Sequence, residues 1–309
     1  VEFISGTLLA VYFYFKFGPM GIYLGYWHAV SAFTNCGLDI MGANAGFAKM
    51  AADPFVSTVI VVTMFLGGVG FMAADDFLRH RSWSGLSLNS KLIFLMEAIL
   101  IPLGTIIFYN LEGNNPETLG GLSTMEKWQS AVLMSVSSRL GGFAVFDIHS
   151  MLDQTVLLVM MFMFIGAAPV STGGGIRTTT IGLLFLSLYA WIRGKKDVVI
   201  FHKHVDPDCL VKASNVFTLA VVITFITAFL VFVFEPMSFD FEDVMFEAVS
   251  AFSTVGFSMG LTGEWNTPCK IVLMIAMYIG RIGVMTLAIT FASHHSRQLK
   301  YPKENIIVG

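Results

Sequence analysis

The feature that most limits what this chain can become is a series of long apolar runs, parted by short loops whose charge alternates in sign. The clearest runs cover residues 55–71, 92–109, 156–165, 181–192, 216–234 and 271–291, and another covers 3–17. Crossing about 30 Å of hydrocarbon takes about 20 apolar residues as a helix. Only helices and closed barrels satisfy their own backbone there, because no water is present to do so. A mean hydropathy of +0.74, with 13% charged residues, is far from a soluble domain, where charged residues make up about a quarter. The chain therefore reads as an all-α, multi-pass membrane protein. Runs 156–165 and 181–192 are too short to span separately, so together with 166–177 they read as one broken helix. The run at 3–17 reads as the end of a span. With Val1 in place of methionine and no signal-peptide pattern, the sequence is expected to start within a longer protein.

The loops give the sidedness. One set is basic: Arg79, Arg81 and Lys91, then Arg193, Lys195, Lys196, Lys203 and Lys212, then Arg297, Lys300 and Lys303. The other is acidic: Glu112 and Glu117, then Glu235, Asp240, Glu242 and Asp243. Basic loops stay in the cytoplasm, which puts the C-terminus inside a cell (plasma) membrane and lipid around the helices. Trp27, Trp128 and Trp265 fall near the outer boundary and fit an interfacial aromatic belt.

Several chemistries are disfavoured. A net charge of −3 gives no hint of nucleic acid. Cys36, Cys209 and Cys269 show neither a metal nor a disulfide spacing, and His28, His149 and the other histidines share no ligand spacing. Thr172-Gly-Gly-Gly lacks the lysine-serine ending of a phosphate loop. No nucleophile–base pair is visible. The chain is expected to be no enzyme and to carry no organic cofactor.

An internal repeat carries the functional reading. Ala29-Val-Ser-Ala-Phe33 recurs unchanged as Ala248-Val-Ser-Ala-Phe252. The copies run into Thr34-Asn-Cys-Gly-Leu38 and Ser253-Thr-Val-Gly-Phe257, and a weaker copy covers 131–143, ending Leu140-Gly-Gly-Phe143. Downstream of each lies a further match: Leu66-Gly-Gly-Val-Gly-Phe71, Ile165-Gly-Ala-Ala-Pro-Val170 and Ile279-Gly-Arg-Ile-Gly-Val284. Each unit is thus helix, short segment, glycine-bearing extended stretch, helix. The short segments lie on the outer side and are too short to span, so they dip in and return. Non-helical backbone at that depth survives only where protein or water satisfies it. Gathered on an axis, the carbonyls of Asn35, Cys36 and Gly37, of Leu140, Gly141 and Gly142, and of Thr254, Val255 and Gly256 could replace the hydration shell of K+. The blander reading makes these glycines helix-packing residues, but three matched contexts on one side argue against it.

In these residues the chain resembles the Trk/Ktr/HKT superfamily of potassium transporters, most like the bacterial KtrB pore subunits. The resemblance rests on Ser31-Ala-Phe-Thr-Asn-Cys-Gly-Leu38, Arg139-Leu-Gly-Gly-Phe143, Pro169-Val-Ser-Thr-Gly-Gly-Gly-Ile-Arg-Thr-Thr-Thr180, Ser250-Ala-Phe-Ser-Thr-Val-Gly-Phe257 and Gly280-Arg-Ile-Gly283. It implies repeated helix–pore loop–helix units around a pseudo-four-fold axis, of which this chain holds the second to fourth. The units are residues 1–80, 87–196 and 210–295, followed by a cytoplasmic tail, 296–309. The family commonly has Thr-Ala-Gly-Phe where this chain has Leu140-Gly-Gly-Phe143. The resemblance further implies K+ as the transported ion, Na+ as a second candidate, symport, a homodimer, and a cytoplasmic ring of nucleotide-binding, KtrA-like regulatory subunits.

The break at 166–177 is read as a gate loop. Proline removes a helix donor and glycine lowers helix propensity, so Ala167, Ala168, Ser171, Thr172, Gly173, Gly174, Gly175 and Arg177 are expected to be unwound, and the resemblance implies that this loop lies below the filter. The resemblance makes this loop the pore's obstruction. Arg281, inside an apolar run, must face a cavity or a partner and not lipid. It is expected on the pore side, level with 171–175, where its donors can cap loop carbonyls. The alternative left open is an ion-coupled secondary carrier of a small solute, also built from broken helices.

Overall fold

The computed structural model describes residues 1–286 apart from 42–46, 52, 196 and 236–238, and only the backbone at 48, 49 and 262. The end of the run 271–291, the last part of the unit 210–295 and the tail 296–309 lie outside the described residues.

Among the described residues the helices are taken in three successive groups along the chain. The first comprises α1 (Glu2–Phe17), α2 (Met20–Phe33), the short α3 (Phe47–Ala51), α4 (Pro54–Gly68) and α5 (Phe71–His80). The second comprises α6 (Leu88–Glu112), α7 (Thr124–Ser137), α8 (Asp153–Phe164) and α9 (Thr178–Ile192). A small antiparallel hairpin, β1 (Val199–Ile200) with β2 (Lys203–His204), leads to the third: α10 (Pro207–Phe234), α11 (Phe241–Ser253) and α12 (Thr267–Ile282).

Local chemistry sets the element starts. Ser123 and Glu126 form a reciprocal capping box at the start of α7, and the Asp243 carboxylate accepts the Asp240 N–H at 3.3 Å ahead of α11. Such caps satisfy amides that a first helical turn leaves orphaned. Asp53 caps α4, with Pro54 at its first position, and also ties α1 by accepting from Lys16 Nζ at 2.8 Å and from the Tyr12 hydroxyl. At the loop between α5 and α6, the Ser90 hydroxyl and the Ser87 amide hold the Asp76 carboxyl down at about 2.

Length follows hydropathy in part. Helices α6 and α10 are long and apolar enough to cross a membrane, while α8 and α9 are shorter apolar helices. Two expected runs are corrected. The run 55–71 is not straight: α4 ends at Gly68 and α5 leaves at 95°. The run 271–291 likewise stops at Ile282. In both cases a glycine with positive φ ends the helix, Gly70 at 87° and Gly283 at 91°, a conformation costly to other residues. Trp265 is also corrected. It is buried against Phe239 instead of facing an interface, whereas Trp128 is exposed and stacks on Tyr109.

The units pack in rotation. The inner helix of one unit lies on the short helix of the next, α4 on α7 and α8 on α11. This sequence of contacts brings the C-terminal ends of α2, α7 and α11 towards one place.

Candidate ion path

Three extended stretches follow α2, α7 and α11, and their glycines all have positive φ: Gly37 at 67°, Gly142 at 62° and Gly256 at 97°. In the first and third units the residue two before the glycine is itself left-handed, Asn35 at 52° and Thr254 at 53°. The middle unit differs. Helical bonding runs on through Leu140 N–H to Val136 O at 3.0 Å and Gly141 N–H to Ser137 O at 3.1 Å.

The stretches meet backbone to backbone. A Cβ on Gly37 would lie 2.1 Å from the carbonyl oxygen of Gly141, and one on Gly142 would lie 2.1 Å from that of Val255. A Cβ on Gly256 would have the Cys36 oxygen 3.5 Å away. The second and third units thus each press a carbonyl on the glycine of the unit before, while the junction between the third unit and the first is looser, so the three form a ring that is open on one side. All nine residues read as filter from the sequence fall on this ring or beside it.

Their hydrogen bonding is unusual. Among the described residues, none of the carbonyls of Asn35, Cys36, Gly37, Leu140, Gly141, Gly142, Thr254, Val255 and Gly256 accepts a hydrogen bond. Buried carbonyls are normally paired, and an unpaired one at membrane depth is costly. Asn35, Leu140, Gly141, Gly142 and Val255 are buried, whereas Cys36 and Gly256 are exposed, so part of the set is open to water or to a cation. Between the first and third units the ring opens on a cleft of about 650 Å³, lined by Asn35, Cys36, Glu247, Thr254, Gly256 and Arg281 among others.

The loop 165–177 lies against the underside of this ring. Its mouth closes by a parallel bridge between Ile165 and Ile176, and Gly166 allows it, since a Cβ there would sit 2.0 Å from the Gly174 oxygen. The Ala168 N–H donates to Gly68 O at 3.0 Å, and the Phe71 N–H to Val170 O at 3.1 Å. The Thr172 hydroxyl reaches Phe33 O at 3.0 Å and Gly67 O at 3.2 Å, beside the Asn35 amide at 2.8 Å. On the other side, Gly174 and Gly175 pack on Ser253 and Thr254, with a Cβ on Gly174 only 2.1 Å from the Thr254 hydroxyl oxygen. Ala167, Ala168 and the three glycines are buried, and the buried Ser171 hydroxyl has no partner among the described residues.

One role moves between arginines. The cap on the loop carbonyls comes from Arg177, whose Nη1 donates to Gly173 O at 2.7 Å. Arg281 makes no hydrogen bond to the loop among the described residues. It sits in the last turn of α12 and faces the cleft with the ring residues.

Three polar anchors behind the ring went unread in the sequence. Arg139 is fully buried and bidentate to Glu97, with Nη1–Oε2 at 2.9 Å and Nη2–Oε1 at 2.8 Å. His28, also fully buried, has Nδ1 at 2.7 Å from Leu24 O and Nε2 at 3.0 Å from Asp39. Glu247 accepts from the Ser258 hydroxyl at 2.6 Å and the Met259 N–H at 2.9 Å. The signals were present. Glu97 interrupts an apolar run, where an ionisable group is a functional or structural marker. His28 and Glu247 stand immediately before the two identical pentapeptides, and Asp39 and Ser258 each stand two residues after the glycine.

The structure thus holds three glycine-bearing carbonyl stretches, each after a short helix, with an unwound loop packed against them. The family "TrkH: Cation transport protein" matches residues 7–300. The chain is 34% identical over 291 residues to Ktr system potassium uptake protein B of Vibrio alginolyticus, covering 94% of this chain and 63% of that protein. It is 33% identical to Ktr system potassium uptake protein B of Bacillus subtilis, covering 100% and 69%. It is 32% identical to the potassium/sodium uptake protein NtpJ of Enterococcus hirae, covering 100% and 69%. Among solved structures, the crystal structure of the potassium transporter TrkH from Vibrio parahaemolyticus has a TM-score of 0.71 at 17% identity, over 96% of this chain and 63% of that one. The chain belongs to the TrkH family of cation transport proteins. It is a helical membrane protein of helix–pore loop–helix units, and the family is one of transporters and not of enzymes.

Proposed function

We propose that this chain forms the greater part of the ion path of a potassium uptake system. Residues 35–37, 140–142 and 254–256 line the filter, and 167–175 with Arg177 and Arg281 form the barrier beneath it. The observation that carries the reading is the ring of nine unpaired carbonyls. Oxygen dipoles held at fixed spacing replace a hydration shell for an ion of matching size and field. A four-fold filter, as the family pattern implies, is completed at the cleft between Cys36 and Gly256. The names of the relatives support potassium as the cargo, and that of the Enterococcus relative brings in sodium as a second or coupled ion.

The partition into units 1–80, 87–196 and 210–295 follows the filters, one per unit. Basic loops and the tail 296–309 are placed in the cytoplasm, where they are candidates for contact with a nucleotide-binding, KtrA-like regulatory ring, with a homodimer as the transporting form. The Gly256→Ser variant of the native protein, assayed in proteoliposomes, tests the filter. There is room for a Cβ at Gly256 but its φ is positive, so the side chain distorts the ring without filling it. Potassium-over-sodium preference should fall severalfold; an unchanged ratio contradicts the filter.

A further inference from the structure

The carbonyl that follows each filter glycine is treated differently from the nine before it. The Ser31 hydroxyl donates to Leu38 O at 3.1 Å, the Ser137 hydroxyl to Phe143 O at 2.8 Å, and the Ser250 hydroxyl to Phe257 O at 2.5 Å. In every unit the donor sits near the C-terminal end of the short helix and the acceptor is the residue directly after the glycine. The three serines are buried. The contact survives differences around it: the middle unit lacks the left-handed residue, and its serine stands one place nearer the glycine.

From this we infer that Ser31, Ser137 and Ser250 are positioning residues that set the selectivity of the filter. The inference rests on the filter reading above. A glycine with positive φ can present its two peptide planes in several ways, and nothing in its own side chain chooses among them. Tying the next carbonyl back to the short helix fixes the plane beyond the glycine and turns that oxygen away from the ring. The carbonyls before it, and the glycine's own, are then left as the oxygens available to an ion. Without the bond, the chain after the glycine gains rotational freedom and the oxygen spacing relaxes. Discrimination between ions of different radius depends on that spacing and on the number and field of the oxygens.

The three ties are unequal, and this gives an internal control. Leu38 O also accepts from the Trp27 indole N–H at 3.1 Å, so it keeps a donor when Ser31 is truncated. Phe143 O and Phe257 O have only their serines among the described residues. Loss of selectivity should therefore be larger at Ser137 and Ser250 than at Ser31.

The test uses the native protein in proteoliposomes, with K+ and Na+ uptake measured separately and normalised to folded protein. Ser250→Ala and Ser137→Ala should each lower the ratio of K+ to Na+ affinity by about five-fold, the weight of one neutral hydrogen bond. Ser31→Ala should have a smaller effect, Ser250→Thr should restore the ratio, and maximal rates should move less than affinities. A merely structural serine would change abundance and leave the ratio alone. If Ser250→Ala does not accumulate, Ser250→Cys keeps the size with a weaker donor, and a wild-type ratio there overturns the inference. If the serine variants keep the wild-type ratio while Gly256→Ser loses it, the serine ties are wrong and the filter stands. If Gly256→Ser also keeps it, both readings fall.

Discussion

The proposed filter and the loop packed against it are both irregular backbone between helices, yet they are held in opposite ways. Each filter stretch is tied within its own unit, by a serine seven residues or fewer away and by an anchor behind it. The loop is tied across units: its Thr172 bonds reach the first unit over 105 and 139 residues of chain. It is also unevenly held. Hydrogen bonds fasten it to Phe33, Gly67 and Gly68, whereas among the described residues it only packs against Ser253 and Thr254, and the buried hydroxyls of Ser171, Ser253 and Thr254 have no partner there. Bonds inside a rigid unit persist when units shift, while bonds between units are exposed to that shift. If the loop is the barrier proposed above, it should leave first from the side of α11.

That contrast can be broken at its strong end. Removing one partner of a buried ion pair leaves an uncompensated charge, costing about 3–5 kcal/mol. Glu97→Leu should therefore cost folding stability on that scale, measured by thermal unfolding in detergent. Pairing it with Arg139→Met should recover most of the loss. If Glu97→Leu unfolds like the native protein, the middle filter does not depend on this anchor. Next in size is Gly142→Ala. Its Cβ would meet the Val255 oxygen at 2.1 Å, and the positive φ alone costs about 1–3 kcal/mol. Potassium uptake per folded molecule should fall at least tenfold, and a normal rate would show the ring to be looser than described.

Changes to the barrier should instead raise flux. Arg281 presents a guanidinium to the cleft, and its repulsion of a cation grows as the surroundings become less polar. Arg281→Gln should increase turnover severalfold with the K+/Na+ ratio unchanged; if turnover per folded molecule stays the same, the residue is not part of the barrier. The smallest effect belongs to Thr172→Val, which removes the hydroxyl tie to the first unit. Each such bond is worth about 1 kcal/mol, so basal flux should rise a few-fold. Thr254→Val, on the side that only packs, should do less. An equal effect at the two positions would mean the loop is not hinged as its bonds imply.

Much of this was legible because the chain repeats itself. The two identical pentapeptides located the short helices, and matched glycines located the ring, since each sits where a positive φ is needed. The broken helix was legible from one proline and three successive glycines. Hydropathy could not show the turns at Gly70 and Gly283, because it is blind to φ. Both glycines close the matched motifs at 66–71 and 279–284, so the repeat itself held the signal. The partner of Arg139 was hidden for a different reason: Glu97 lies 42 residues away, and only packing of α7 on α6 brings them together. The transfer of the loop cap from Arg281 to Arg177 was likewise invisible, because it depends on which guanidinium the loop's own fold brings within 2.7 Å.

The central claim is that the unpaired carbonyls of the ring hold the transported ion. The most direct measurement is anomalous scattering from crystals of the native protein soaked in Rb+, a heavier stand-in for K+. The account predicts a peak on the ring axis, within coordinating distance of carbonyl oxygens from 35–37, 140–142 and 254–256, which weakens in Gly256→Ser. A ring without a peak, under conditions where the protein transports Rb+, would contradict it.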